Sequence, residues 1–201
     1  MKEVLFTEGM TTEKQLNVLE NACRDVRHIK GEVIEIGCWE GKSTIRIANT
    51  LPTDKVLAVD TWKGNFNEDP NHETVVVAKK RDVYSRFREN IQAGTKGNVI
   101  PIKMDCHEFE NMYKSERLKE SGRFDDIKFL YIDACHDYKS VITTIRNLLP
   151  YMIEGGIMCG DDFQSAHMGR DDLNGGVERA VRESFSSSGF GWEDNFWITR
   201  I

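Results

Sequence analysis

The chain lacks the features that would suit it to a polyanion, a membrane or an oxidising compartment. Its 27 lysines and arginines are outnumbered by 33 aspartates and glutamates, a formal net charge of −6. No broad basic face can therefore collect phosphates, and nucleic acid is not an expected partner. No apolar run approaches the ~18 residues of a membrane span. The start, Met1-Lys2-Glu3, leads only into Val4-Leu5-Phe6, too short for the apolar centre of a signal peptide. The five cysteines, Cys23, Cys38, Cys106, Cys135 and Cys159, are odd in number and form no C-x-x-C. Neither a disulfide framework nor a zinc site is indicated, and reduced thiols fit a cytoplasmic protein. Repeats and low-complexity tracts are also missing. What is present is 201 residues with 39% hydrophobic content, the makeup of one globular domain over 1–201.

Short apolar runs alternate with amphipathic stretches, the pattern of an α/β fold whose parallel sheet is covered by helices on both faces. The expected strands are Val33–Ile36, Val56–Val59, Val99–Ile102, Phe129–Ile132 and Gly156–Cys159, near-continuous apolar segments as burial on both faces requires. Helices are expected near 42–50, 81–93, 107–119, 138–149 and 173–187, with an opening helix near 12–28 capped by Thr11 or Thr12. The tail reads as a hairpin, Gly189–Trp192 and Phe196–Arg200 about the turn 193–195. Five parallel strands and a hairpin make seven. The polar segment 63–80 is expected to be a mobile loop over the site, with Val75-Val76-Val77 packing locally.

The first strand runs into Glu35-Ile36-Gly37-Cys38-Trp39-Glu40-Gly41-Lys42-Ser43, with glycines at the strand-to-helix bend where a backbone approaches a ligand. The second strand ends in Asp60, 23 residues beyond Gly37, placed to accept hydrogen bonds from ribose hydroxyls. An adenosine-containing cofactor follows. A nicotinamide or flavin dinucleotide needs bare backbone for its pyrophosphate, yet Trp39 stands where that fingerprint has its second glycine and Glu40 would repel phosphate. S-adenosylmethionine carries a sulfonium and no phosphate, and suits the turn.

The fourth strand ends in Asp133-Ala134-Cys135-His136-Asp137-Tyr138 and the fifth in Asp161-Asp162. Ligands sit outside the carboxyl ends of such strands, and neighbouring strands are about 4.8 Å apart. Asp133, Asp161 and Asp162 are thus expected to meet, and their mutual repulsion calls for a hard divalent cation, Mg²⁺, Ca²⁺ or Mn²⁺. His136 is the candidate general base. Its other reading, with Asp137, is as a cap of the helix that follows.

With these residues in hand the chain resembles the class I S-adenosylmethionine-dependent methyltransferases. Within them it is most similar to the metal-dependent O-methyltransferases of small molecules, the macrocin-type sugar enzymes in particular and catechol O-methyltransferase more distantly. The likeness covers about 31–163. It implies a Rossmann-like, doubly wound, seven-stranded sheet, mostly parallel with a C-terminal antiparallel hairpin. It further implies that Glu35, Gly37, Trp39, Gly41 and Ser43 border the methionine part of the cofactor. Asp60, Thr61 and Trp62 would hold the ribose and adenine side, with Asp105 and Cys106 in the loop beside the adenine. Asp133, Asp161 and Asp162 would ligate Mg²⁺ or another divalent cation, and Asp133 and His136 would act on a hydroxylated small-molecule acceptor. Catechol-type enzymes carry lysine where His136 stands. Segments 1–30 and 63–80 bear no signature of the acceptor, Trp39 and Trp62 fit either core or adenine stacking, and a homo-oligomer is a family-level expectation.

Overall fold

The structure, a computed structural model, describes residues 4–7, 10–64, 73–117, 124–163, 176–186 and 189–201. Residues 65–72 of the expected loop, the ends of two expected helices (118–119, 173–175 and 187), His72 and His167 lie outside the described residues. Seven strands, β1 (Glu32–Ile36), β2 (Val56–Asp60), β3 (Val99–Lys103), β4 (Ile127–Ile132), β5 (Met152–Gly160), β6 (Gly191–Glu193) and β7 (Phe196–Arg200), form one sheet in the order β3-β2-β1-β4-β5-β7-β6. The first five are parallel. β7 runs antiparallel to β5 and closes the hairpin with β6 through the turn Asp194-Asn195, both at positive φ.

Alternation along each strand decides which helices cover which face. Ile34, Ile36, Leu57, Val59, Leu130, Ile132 and Met158 face α5 (Cys106–Arg117), α6 (Tyr138–Leu148) and α7 (Gly176–Ser184). Val33, Val56, Phe129, Tyr131, Ile157 and Cys159 face α1 (Glu13–Val26) and α2 (Lys42–Thr50). Each such fully buried aliphatic or aromatic side chain contributes about 1.5–3 kcal/mol. At the amino ends of the strands Lys128, 1% exposed, donates from Nζ to Ile29 O (2.9 Å) and Asp54 Oδ1 (2.7 Å), which satisfies its buried ammonium far from the strand exits.

Some elements differ from expectation. Residues 73–80, expected as loop, form helix α3 (Glu73–Lys80), and α4 begins at Val83 under an Asp82 cap that accepts from Ser85 N–H at 3.1 Å. A valine triplet between polar residues carries weak helix propensity, so only packing reveals the turn. β5 starts four residues earlier than expected, at Met152, because Glu154-Gly155-Gly156 lies in a bulge within the strand: β4 pairing jumps from Ile127↔Met152 to Phe129↔Ile157.

Candidate functional site

The strand order reverses between β1 and β4, so their carboxyl ends open the crevice where such sheets bind ligands. Asp133 N–H donates to Ile36 O at 2.8 Å, which places the β4 exit directly against the glycine turn. Gly37 has φ +94, and a Cβ there would lie 1.8 Å from Asp133 O. The bare backbone expected at this position for a ligand also serves the contact between two loops.

Asp60 ends β2 and gathers that turn. Its Oδ2 accepts from the N–H groups of Cys38 and Trp39, each at 2.8 Å, and its Oδ1 from Trp62 N–H at 2.6 Å. These bonds spend the carboxylate's acceptor positions on holding the turns after β1 and β2 in place. Burial nonetheless pushes the Asp60 carboxyl above its ordinary value. Beneath the turn Ser43 Oγ donates to Glu35 Oε1 at 2.5 Å. Glu35 is fully buried, and desolvation pushes it up to about 7. Its Oε2 and the Trp39 indole N–H find no hydrogen-bond partner among the described residues. A buried acceptor without a donor, under a turn that carries no phosphate-binding glycine at position 39, fits the ammonium of a methionine-bearing cofactor.

The remaining expected cofactor residues divide. Gly41 (φ +88) starts α2, Thr61 accepts from Lys63 N–H at 3.2 Å, and Asp105 Oδ1 accepts from His107 N–H at 2.9 Å beside buried Cys106. Trp62 is core: 4% exposed, it packs between Tyr84 and Phe87 and donates from Nε1 to Trp39 O at 2.8 Å. Glu40 does not point toward a ligand, so its expected repulsion of phosphate falls away. At 2% exposure it pairs with Arg81 and accepts from Thr7 N–H at 2.5 Å. Asn90 completes that corner, bonding Leu5 N–H (3.0 Å), Leu5 O (2.9 Å) and Glu40 O (2.9 Å).

At the β4 and β5 exits, carboxylate and imidazole atoms of Asp133, His136 and Asp162 lie within 4.8 Å of one another. His136 Nε2 is 2.9 Å from Asp162 Oδ2, and buried Tyr131 donates its hydroxyl to Asp133 Oδ2 at 3.1 Å. Asp137 takes the capping role alone, accepting from Ser140 N–H at 3.0 Å, and leaves His136 to the cluster. Asp161 stands beside these groups but turns elsewhere. Both its oxygens accept from Gln15 Nε2 (2.8 and 2.9 Å), and Oδ1 also from Asp162 N–H (2.8 Å). The structure thus joins Asp133 to Asp162 and His136, while Asp161, expected in the same triad, faces α1. Asp162 sits at φ +62, a strained backbone for a non-glycine residue. Desolvation, then the charges of Asp161 and Asp162, push the Asp133 carboxyl well above the ordinary range, and desolvation with Asp162 pushes Asp161 up to about 6. Gln15 and Tyr131 were not foreseen. The T-x-x-Q capping-box spacing from Thr12 was the only sequence signal for the first.

Because Glu35, Asp133 and Asp161 hold protons more tightly folded than unfolded, the native state binds more protons between the ordinary carboxylate range and the raised values. Stability from these groups is therefore lost as pH rises through that interval. In chelator, the thermal midpoint is expected to be higher near pH ~5 than near pH ~8, and a divalent cation added at the higher pH should recover the loss. A midpoint in chelator that climbs steadily with pH across this range would contradict the assignment.

A family model described as a methyltransferase domain matches residues 34–163. No curated protein matches the sequence. Among solved structures, the calicheamicin methyltransferase CalS11 is similar with TM-score 0.64 at 14% identity, over 94% of this chain and 79% of that one. TomG, an O-methyltransferase from Streptomyces achromogenes involved in tomaymycin synthesis and solved in complex with SAM, gives 0.62 at 16% identity over 96% and 81%. An O-methyltransferase from Bacillus cereus in complex with SAH gives 0.60 at 14% identity over 96% and 82%. At such identities the likeness to solved structures speaks of the fold alone.

Proposed function

Since the chain belongs to the methyltransferase-domain family, we propose that it moves the methyl group of S-adenosylmethionine to a hydroxyl of a small molecule, a sugar or polyhydroxylated metabolite, assisted by a divalent cation. The observation that carries this reading is the cluster of Asp133, His136 and Asp162 within 4.8 Å, set against the glycine turn by the Gly37–Asp133 contact. Crowded carboxylates with raised proton affinity suit a hard cation. Asp133 and Asp162 would hold it, with Asp161 beside them through the acceptor position left on Oδ2. When bound, Mg²⁺ supplies a positive charge that stabilises the developing alkoxide. The chain's own residues do the rest. The turn 37–41 and Asp60 orient the donor, Tyr131 steadies Asp133, and His136, oriented by Asp162, receives the acceptor's proton. The neighbours lend support: CalS11 is described as a TDP-rhamnose 3'-O-methyltransferase.

A second reading rests on the 2.9 Å contact between His136 and Asp162, an oriented base that would serve without any cation. Methyl transfer from S-adenosylmethionine to a panel of sugars and catechols, with and without EDTA, separates the two. Transfer to a sugar-type hydroxyl that disappears in EDTA and returns with Mg²⁺ is the expected outcome. Undiminished transfer in EDTA would leave the His136–Asp162 pair alone, and cofactor binding with no transfer to any hydroxyl would remove both.

A further inference from the structure

Gln15 belongs to α1, 146 residues from Asp161 in the chain, yet its side chain joins the two. Its amide orientation is settled at both ends. Oε1 accepts from Thr12 N–H (2.8 Å) and from the Thr12 hydroxyl (2.8 Å), while Thr12 Oγ1 accepts in turn from Gln15 N–H (3.2 Å). Only Nε2 is left to face Asp161, and it bridges both carboxylate oxygens. Both side chains are nearly buried, Gln15 at 9% and Asp161 at 8% exposure, so neither is free to swing through solvent. A capping box at a helix N-terminus ordinarily satisfies the helix alone; here its glutamine carries a second load.

We propose that Gln15 is a positioning residue: its amide sets the direction of the Asp161 carboxylate, so that the first turn of α1 must be docked for the acidic site at the β4 and β5 exits to be complete. This rests on the cation-assisted reading of that site. The chemistry explains the residue type. A lysine or arginine at position 15 would hold Asp161 equally well but neutralise it and repel a divalent ion. A neutral amide steadies the carboxylate and leaves its charge available, and Oδ2, which accepts from Gln15, carries one hydrogen bond fewer among the described residues than Oδ1, which also accepts from Asp162 N–H. The helix that opens the chain is thereby part of the assembly of the site, not only of the core.

Mn²⁺ binding measured by electron paramagnetic resonance on the intact protein tests this, with the thermal midpoint of each variant recorded beside it. Gln15→Met keeps the volume and removes the donor; Thr12→Ala weakens the cap but leaves Gln15 facing Asp161; Asp161→Asn removes the charge. Gln15→Met and Asp161→Asn are expected each to weaken Mn²⁺ binding about tenfold or more, Thr12→Ala less than about twofold, and Gln15→Met to add little in the Asp161→Asn background. Wild-type affinity in Gln15→Met overturns the proposal and leaves the cation reading standing. Losses of Mn²⁺ binding in Gln15→Met and Thr12→Ala that are equal and track equal falls in the thermal midpoint overturn it too, since the effect would then pass through helix stability. If the wild type takes up no Mn²⁺ at millimolar concentration, the cation reading fails and this inference with it.

Discussion

Asp133→Asn is expected to lower methyl transfer by at least about 100-fold while raising the thermal midpoint of the cation-free protein at neutral pH or above. The two effects have one origin. Asp133 is held at the strand exit by its backbone bond to Ile36 and by the Tyr131 hydroxyl, among carboxylates whose burial and charge drive its proton affinity up. An amide of the same shape keeps the Tyr131 contact, relieves the repulsion, and discards the negative charge that would bind a cation or face the transferring methyl. Gain of stability with loss of turnover is the behaviour of a group retained for chemistry against the interest of the fold. Transfer assays and thermal melts on the same preparation check it. A variant that melts lower and still turns over would place Asp133 among the structural carboxylates.

Among the glycines of the described residues, Gly37→Ala should be the most damaging added methyl. The added carbon would sit 1.8 Å from Asp133 O, with 2.3 Å to its carbonyl carbon, and the backbone at φ +94 resists any side chain. Overpacking against backbone and a disfavoured φ together cost about 3–5 kcal/mol, or a fall of roughly 10 °C in the midpoint for a chain of this size. Because the displaced partner is the β4 exit, binding of S-adenosylhomocysteine and of Mn²⁺ should weaken together. Gly97→Ala supplies the control: it has a similar φ, +83, but nothing within 4 Å of the built Cβ, so it should show the backbone strain without the clash. Comparable losses in both variants would mean that conformation, not the contact with Asp133, explains the glycine.

The parts of this site that a sequence displays are those a strand exit encodes locally. An apolar run that stops at an acid, as in Phe129–Asp133 or Val56–Asp60, announces both the strand and the residue at its mouth, and the hairpin announced itself through the polar turn between two aromatic segments. Directions of side chains were not legible. Asp161 looks toward Gln15 and Glu40 toward Arg81 because of partners far along the chain, and no spacing rule carries such information. Spacing leaves Trp62 open between core and adenine stacking for a related reason: it lies at a ligand edge in sequence, and Tyr84 and Phe87 from α4 enclose it. Helix α3 escaped because its valines favour strands and only its packing overrides them.

Anomalous diffraction from a crystal grown with Mn²⁺ and S-adenosylhomocysteine addresses the central claim most directly. The account predicts one manganese peak between the carboxylates of Asp133 and Asp162, at ligand distances of about 2.0–2.4 Å, with the cofactor's sulfur lodged above the turn at Gly37. Cofactor density with no metal peak at millimolar manganese, the two aspartates turned apart, would contradict it.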